Sequence, residues 1–463
     1  MQLDQLFAEL APAFKSQEDH ARARMHWLAG LLNLGRHTVT GTLTTAGQQQ
    51  HDWSAAYRSL QRLPVDAVFA HVQRHTLAHT AGPWVVALDD TATRKTGRRI
   101  PGCGWRRDPL SPKFHTNLHW GQRILQFSAA IPAADGSARL VPISWQEAPV
   151  PRRPRQPDAA AQSEYREACK QAKLNQVALR RIEQLRTCTD RPIHFVGDGH
   201  YTNRTILRHL PAHTVLIGRI RKDTKLHALC SPCPGQNGRP RRYGTVLPNP
   251  EALRSDESQP WTEVTAWAVD RQHTFRIKTQ GPVLAPVAGV DRPVRIVVIA
   301  PVGYRLRRSG KLLYRQPAYL ICTDPELPLA TIVQQYLWRW DIEVNLRDEK
   351  CLLGVSEAQL RHPEAVRRHP AAAVAAYALL LLAAHKAYGT HGHPPDVPAP
   401  RWRARVVPRR ATTSQLLSQL RVELWSHCLR KDSLRHFRSR SSSKVNPLKP
   451  VPNLATAVFY AQN

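Results

Sequence analysis

The sequence predicts an α/β protein in which helices pack against a mixed sheet, with an all-helical N-terminal region and a β-rich insertion. The apolar run "PWVVALDDT", residues 83–91, ends in acids and is typical of a central strand buried on both faces. Two further strands follow, joined by the turn sequence "AADGS" at residues 133–137. Helical and strand patterns then alternate as far as residue 220, which favours a sheet with helices packed on it.

The elements predict a division of the chain into five parts. Residues 1–80 show helical periodicity interrupted by glycines, which fits either a helix-turn-helix or an ordinary helical bundle. Residues 163–188 predict one long amphipathic helix, and the tail predicts one helix from residue 413. The predicted parts are an N-terminal helical domain (1–80), the first part of an α/β core (81–220), a β-rich insertion domain (221–320), the second part of the core (321–390) and a basic, partly disordered tail (391–463).

The charge predicts a nucleic-acid partner. The chain has 463 residues with 66 Lys and Arg against 35 Asp and Glu, a net charge of +31. Such an excess opposes compaction unless an anionic partner offsets it, so DNA or RNA is expected. An arginine-rich composition inherited from a GC-rich genome is the competing explanation.

Targeting features predict a cytoplasmic protein. The first residues lack the basic segment of a signal peptide, and eight scattered cysteines suggest reduced thiols. The apolar run at residues 371–384 is shorter than the roughly 20 residues of a membrane span, so we expect a buried helix and no membrane partner. The sequence contains no phosphate-binding P-loop motif, which argues against ATP-driven activity.

Residues 336–350, "YLWRWDIEVNLRDEK", predict one helix with an unusual stripe of side chains. At about 100° per residue, Tyr336, Arg339, Glu343 and Lys350 fall within about 60° of one another. The stripe places one carboxylate between two cations and a phenol. It fits either a structural ladder of ion pairs or a site for a metal ion and a phosphate.

Three carboxylates are candidates for such a site. Asp89 and its neighbour Asp90 end one predicted strand, Asp198 ends another, and Glu343 lies on the helix. If they converge, they repel one another unless cations bridge them. Mg²⁺ prefers oxygen ligands, and a pair of such ions can cleave a phosphodiester.

The spacing of these residues resembles that of a known family. Tyr336-x2-Arg339-x3-Glu343-x6-Lys350 is similar to the Y-x2-R-x3-E-x6-K motif of bacterial insertion-sequence transposases, in the IS-four-like group of the DDE superfamily. "DDT" at residues 89–91 resembles the first aspartate motif of this group, and "DGHY" at 198–201 resembles the second. The resemblance spans roughly residues 35–390.

The resemblance implies an RNase H-like fold and cut-and-paste DNA transposition. Asp89, Asp198 and Glu343 would be the catalytic metal ligands for two Mg²⁺ ions, with Mn²⁺ as a possible substitute. Tyr336, Arg339 and Lys350 would bind DNA phosphates. The D-x-T pattern favours Asp89 over Asp90, and a strand presents only one of the two to the cluster.

The function expected from the resemblance is a transposase that binds the terminal inverted repeats of its insertion sequence. It would cleave and join double-stranded DNA at the transposon ends and target, as a dimer on DNA. An RNase H-like nuclease without strand transfer and an inactive DNA-binding derivative remain alternatives.

Overall fold

The computed structural model describes residues 2–108, 111–112, 114–155, 158–230, 241–268, 271–307, 309–392 and 410–431. The helices are α1 (Gln2–Ala8), a 3-10 helix η1 (Ala11–Ala13), α2 (Gln17–Leu32), α3 (Val39–Thr45), α4 (Ser54–Leu60), α5 (Val65–Ala78), α6 (Ala159–Gln171), α7 (Leu174–Arg186), α8 (Arg204–Leu207), α9 (Pro250–Ser255), α10 (Leu329–Trp338), α11 (Trp340–Cys351), α12 (Pro363–Tyr388) and α13 (Thr413–Lys431). The strands are β1 (Trp84–Arg94), β2 (Gly104–Arg107), β3 (Leu118–Pro132), β4 (Ala138–Ala148), β5 (Ile193–Gly197), β6 (Thr214–Arg219), β7 (Leu226–His227), β8 (Val246–Leu247), β9 (Thr262–Ala268), β10 (Arg271–Val283), β11 (Val294–Ile299), β12 (Gly303–Arg305), β13 (Leu312–Tyr314) and β14 (Ala318–Cys322).

The centre of the molecule is a mixed sheet in which five strands follow the order β4-β3-β1-β5-β6. The strands β4, β3 and β1 are antiparallel neighbours, whereas β5 and β6 run parallel to β1. This order is that of an RNase H-like fold, and it confirms the predicted fold class. The parallel pair β1 and β5 brings the carboxyl ends of two buried strands to the same edge, where sites form in α/β sheets.

The alternation of side chains along β1 divides the core between the two faces of the sheet. Trp84, Val86 and Leu88 belong to the larger apolar cluster, which includes α5, α7 and α12. Val85 and Ala87 belong to a second cluster, which includes apolar residues of α10 and α11. Both faces are therefore covered, which explains the uninterrupted apolar run of this strand.

The N-terminal helices are present as predicted, and they pack on α12. Contacts join α12 to α1, α2, α4 and α5, as well as to β4 on the sheet. The short helix α3 has no exposed residue, so it offers no free face of the kind that a recognition helix needs. The packing therefore favours the bundle over the helix-turn-helix.

Helix α12 is long and apolar enough to cross a membrane by length and composition alone, but 67 % of its most apolar window is buried inside the protein. This burial is typical of a core helix and agrees with the buried helix predicted from the sequence.

Two predicted helices are interrupted. The single helix predicted at residues 163–188 is wrong, because α6 ends at Gln171 and α7 begins at Leu174. The single helix predicted at 336–350 is also wrong in detail. It is interrupted at Arg339, which keeps helical dihedral angles (φ −50°, ψ −34°), while the amide of Ile342 bonds to the carbonyl of Arg339 at 3.1 Å in a tightened turn. Side-chain periodicity does not reveal such a one-residue interruption.

The predicted insertion at residues 221–320 is β-rich, but four of its strands extend the central sheet. The order continues from β6 through β14, β11 and β10 to β9, with β14 antiparallel to β6. Residues 231–240, within this segment, lie outside the described residues. The domain boundaries remain predictions, as do the disordered parts of the tail, most of which lies outside the described residues apart from α13.

A buried carboxyl on α11 predicts a pH dependence of stability. Glu349 is fully buried, and burial raises its pKa well above the ordinary value of 4.5, although Gln126 and the positive charge of Lys350 oppose the shift. The neighbouring Gln126 of β3 has a buried side-chain oxygen without a partner. The folded state keeps the Glu349 proton at a pH where the unfolded chain has lost it. The stability contribution of this group is therefore complete below about pH 4.5 and falls as the pH rises above that value.

We therefore predict that Glu349→Gln raises the melting temperature relative to wild type, and by more at pH 8 than at pH 5. The variant keeps the neutral shape of the group and removes its titration, so the difference between the two pH values is the diagnostic quantity. Thermal unfolding followed by circular dichroism measures it. Glu326→Gln, which removes an exposed carboxylate, is the control and is expected to show no such difference. Equal shifts at the two pH values would contradict a neutral Glu349.

Candidate active site

The alternation of β1 sends its two neighbouring aspartates to opposite faces of the sheet. Asp89 lies on the face of Val85 and Ala87, towards α10 and α11, and its Oδ2 accepts a hydrogen bond from Arg339 Nη1 at 3.4 Å. Asp90 lies on the opposite face, among residues of the larger cluster. The strand geometry therefore associates Asp89, and not Asp90, with the helix that contains Glu343.

Asp198 lies beside Asp89 at the end of the neighbouring parallel strand. The parallel register of β1 and β5 pairs Ala87 with Val196. Asp89 and Asp198 each lie two residues further along the chain, so they are neighbours at the same edge of the sheet. Asp198 directly follows β5, and its Oδ1 accepts a hydrogen bond from the amide of His200 at 2.8 Å. The sequence motif "DGHY" thus forms a turn that holds this carboxylate at the edge of the sheet.

Arg339 connects Asp89 to Glu343 across the sheet face. Its Nη2 donates to Glu343 Oε1 at 3.1 Å, while its Nη1 reaches Asp89, so one guanidinium lies between the two carboxylates. Arg339 is only 7 % exposed, whereas the side chain of Glu343 is 39 % exposed. The guanidinium occupies the position in which a cation between the two carboxylates is expected, and it offsets their mutual repulsion.

Residues on the other side of α11 fix this helix to the sheet. Asp341 accepts the amide of Leu140 on β4 at 3.0 Å and forms an ion pair with Arg410 at 2.6 Å. One turn later, the side-chain amide of Asn345 donates to the carbonyl of Leu140 at 3.0 Å. Since Asp341 and Asn345 point to β4, Glu343 between them is held facing the candidate site.

Desolvation dominates the electrostatics of Asp89. Burial raises its pKa to about 7, and the negative charges of Asp198 and Asp90 add to this effect. A hydrogen bond from the amide of Asp90 and the positive charge of Arg339 oppose it. A cation bound at this carboxylate would relieve the same cost, because it favours the charged form.

Asp90 belongs to a separate network that sequence reasoning missed. Its Oδ2 accepts Arg123 Nε of β3 at 2.6 Å, and its Oδ1 accepts the hydroxyl of Tyr201 at 2.9 Å. Tyr201 is fully buried, and burial together with the nearby carboxylates raises its pKa well above 10. The tyrosine of the "DGHY" motif thus joins the two aspartate segments, and the motif itself was the signal that could have identified it.

The remaining residues of the predicted stripe lie along the same face. The ring of Tyr336 is 5.8 Å from the guanidinium carbon of Arg339, and Lys350 donates to the hydroxyl of Thr91 on β1. Thr91 is two residues beyond Asp89 and shares its face. The stripe therefore runs along β1, with Glu343 and Arg339 at the carboxylates and Lys350 further along the strand.

Comparison with known proteins identifies the family. A family model described as DDE superfamily endonuclease matches residues 9–281, more than half of the chain. The chain belongs to this family. No curated protein was found to match it. The match supports a DDE-type transposase and includes Asp89 and Asp198, but it ends before Glu343, and the assignment to the IS-four-like group rests on the sequence resemblance.

The donor set suits the divalent metal ions that DDE superfamily enzymes normally use. Asp89, Asp198 and Glu343 offer only carboxylate oxygens, the ligands that Mg²⁺ prefers. Among the residues that the structure describes, these three do not form a group whose ligand atoms all lie within 4.8 Å of one another. Arg339 accounts for part of this spacing, because its guanidinium separates Asp89 from Glu343.

The opposite orientations of the two aspartates lead to a test. We predict that saturating Mg²⁺ raises the melting temperature of wild type and of Asp90→Asn, whereas Asp89→Asn shows little or no rise. A ligand at 100 times its dissociation constant stabilises the folded state by about 2.7 kcal/mol, so a lost site is measurable.

Differential scanning fluorimetry with and without Mg²⁺ is the measurement, and the shift caused by Mg²⁺, not the melting temperature itself, is compared. Asp90→Asn is the matched control because it removes the same charge from the next residue. A Mg²⁺ response that is lost in Asp90→Asn and kept in Asp89→Asn would show that Asp90, and not Asp89, is the metal ligand.

Proposed function

We propose that this DDE superfamily endonuclease is a DNA transposase. It binds the terminal inverted repeats of its own insertion sequence and catalyses Mg²⁺-dependent cleavage and strand transfer. The proposal assigns Asp89, Asp198 and Glu343 as metal ligands, and Tyr336, Arg339 and Lys350 as contacts to DNA. The observation that supports it most strongly is the side-by-side arrangement of Asp89 and Asp198, with Glu343 joined to Asp89 through Arg339.

The three carboxylates are suited to phosphodiester chemistry. Two Mg²⁺ ions, or Mn²⁺ in their place, would activate the attacking oxygen and stabilise the oxygen that leaves. Asp89 lies on β1 and Asp198 directly follows the neighbouring parallel strand β5, so backbone pairing and the turn after β5 together set their spacing. Such rigid placement is what catalysis by positioning requires.

Hydrolysis and strand transfer use the same site in this proposal. In the first step an oxygen of water bonds to phosphorus and gives up a proton, while the bond from phosphorus to the 3′ oxygen breaks and that oxygen gains a proton. A 3′-hydroxyl and a 5′-phosphate result. In the second step the freed 3′-hydroxyl attacks a phosphodiester of the opposite strand or the target, and a new 3′-hydroxyl leaves.

Arg339 and Lys350 supply positive charge beside the carboxylates. With Asp89 and Glu343 engaged by metal ions, the guanidinium of Arg339 would lose its two carboxylate partners and could bind a phosphate oxygen bidentately. Lys350 lies further along β1 on the same face, beside Thr91. The two cations would therefore follow one DNA strand past the reacting phosphate.

The remainder of the positive charge supports DNA binding away from the site. The net charge of +31 is far larger than the few cations of the site can explain. Since transposition requires two ends to be held together, we propose that a dimer assembles on DNA, with the N-terminal helices holding the terminal repeats.

The proposal predicts that wild type cleaves and joins DNA bearing the sequences that flank its gene, in the presence of Mg²⁺, and that Glu343→Gln does not. Metal ions contribute several kcal/mol to such transition states, and each 1.36 kcal/mol is a factor of ten, so a loss of about 10³-fold or more is expected. Gel analysis of end-labelled DNA measures cleaved and joined products separately.

Glu326→Gln is the matched control, because it removes an equal charge from an exposed position before α10 and is expected to retain activity. Cleavage without joined products would favour a nuclease that lacks strand transfer. DNA binding without cleavage by wild type, in Mg²⁺ and in Mn²⁺, would favour an inactive DNA-binding derivative and would overturn the proposal.

A further inference from the structure

A cluster of metal-binding side chains lies among the N-terminal helices, outside the carboxylate site. Glu9 lies in the turn after α1, and His71 and His75 lie one turn apart on α5. Glu9 Oε2 is 2.9 Å from His75 Nε2 and 3.5 Å from His71 Nε2, and the three ligand atoms all lie within 4.8 Å of one another. Among the described residues, it is the one group of three or more His, Cys, Asp or Glu side chains whose ligand atoms all lie this close together.

His71 is the unusual member of this cluster. Its side chain is 5 % exposed, and its Nε2, which faces Glu9, is buried and makes no hydrogen bond. A buried imidazole nitrogen without a partner is costly, because buried polar groups are nearly always hydrogen-bonded. A metal ion bonded to this nitrogen would satisfy it.

The protonation state of His71 suits ligation. Burial lowers its pKa to about 4, and the charge of His75 lowers it further, while Glu9 opposes the shift. The imidazole is therefore neutral at pH 7 and offers a lone pair without losing a proton first. The ring of His75 lies 4.5 Å from that of His71 at 70°, so the two nitrogens approach the carboxylate from different directions.

Positive groups around the cluster limit the affinity. Lys386 of α12 and Arg74 of α5 lie close enough to influence His71, and Lys386 also acts on Glu9. His79 stacks 6.5 Å beyond His75 and contacts His385 of α12 at 4.7 Å. The positive charges of Lys386 and Arg74 oppose a dication, and the carboxylate of Glu9 is the group of the cluster that compensates it.

We propose that Glu9, His71 and His75 form a second metal site, which binds Zn²⁺ or a similar transition-metal ion. Two imidazoles and one carboxylate suit zinc better than Mg²⁺, which prefers oxygen ligands. Ligand atoms of a tetrahedral zinc site are about 3.3 Å apart, given bonds of about 2.0–2.2 Å. The measured separations of 2.9 and 3.5 Å lie on either side of that value.

The site would connect the first helix to α5. Glu9 belongs to the segment between α1 and η1, whereas both histidines belong to α5, which packs on β3, β4 and α12. A metal ion shared by these segments would hold the N-terminus of the chain on the sheet-bound helices. Its effect is structural, so it can be measured without DNA cleavage and independently of the proposed transposase activity.

The test uses the full-length chain, stripped of metal with a chelator and then held in saturating Mg²⁺ to occupy the carboxylate site. Zn²⁺ is titrated against a coloured zinc indicator, and bound zinc is counted per chain. Wild type is compared with the double variant Glu9→Gln/His75→Gln, which avoids changing the buried His71. His79→Gln, at the residue that directly follows α5, is the matched control.

We expect the wild type and His79→Gln to bind one zinc ion more per chain than the double variant, or to bind it at least about tenfold more tightly. Loss of a residue that only supports a metal ligand already lowers metal affinity by about tenfold or more, so loss of two ligands should lower it at least as much. Zn²⁺ should raise the melting temperature of wild type and His79→Gln by more than that of the double variant. Co²⁺ in place of Zn²⁺ should give visible d–d bands in wild type without sulfur charge-transfer bands.

Equal zinc binding by wild type and the double variant would overturn the proposal, as would an equal loss in His79→Gln. Absence of zinc binding by wild type would also overturn it and would leave Glu9 and His75 as an ordinary hydrogen-bonded pair. Circular dichroism of the metal-free variants shows whether each has folded, so a loss of binding is not confused with unfolding.

Discussion

The alternation of side chains along β1 is the constraint on which the candidate site depends. Because odd-numbered and even-numbered residues point to opposite faces, Val85 and Ala87 fix the face on which Asp89 must lie. The same alternation sends Asp90 to Arg123 and Tyr201 on the other face. A shift of one residue in the register of this strand would exchange the two aspartates and dismantle both networks.

Arg339 forms hydrogen bonds with two of the three carboxylates of the candidate site. Without a cation, Asp89 and Glu343 would face each other across a partly dry site, and the guanidinium between them offsets that repulsion. The remaining cost appears in the pKa of Asp89, which burial raises to about 7.

Much of this could be predicted from the sequence, because it depends on local patterns. The apolar run before Asp89 and the motif at Asp198 each indicated the end of a strand. The order of elements indicated a mixed sheet with helices packed on it, and the resemblance to the transposase family implied the RNase H-like fold. The interruption at Arg339 is a local tightened turn that side-chain periodicity does not reveal, whereas the motif at residues 198–201 could have pointed to Tyr201. The extension of the sheet by β14 could not be predicted, since it depends on long-range pairing with β6. The cluster of Glu9 and His71 was missed for the same reason, as 62 residues separate two side chains that meet only in the folded chain.

Cleavage of the polypeptide by bound iron tests the convergence of the three carboxylates most directly. Fe²⁺ replaces Mg²⁺ at oxygen-rich sites, and with peroxide it cuts the backbone near the bound ion. The account predicts fragments that end near residues 89, 198 and 343, all suppressed together by excess Mg²⁺, because segments far apart in sequence share one site. Fragments near only one of these positions, or none that Mg²⁺ suppresses, would contradict it. Cuts near residues 9 and 71–75 that Zn²⁺ suppresses would belong to the separate N-terminal cluster.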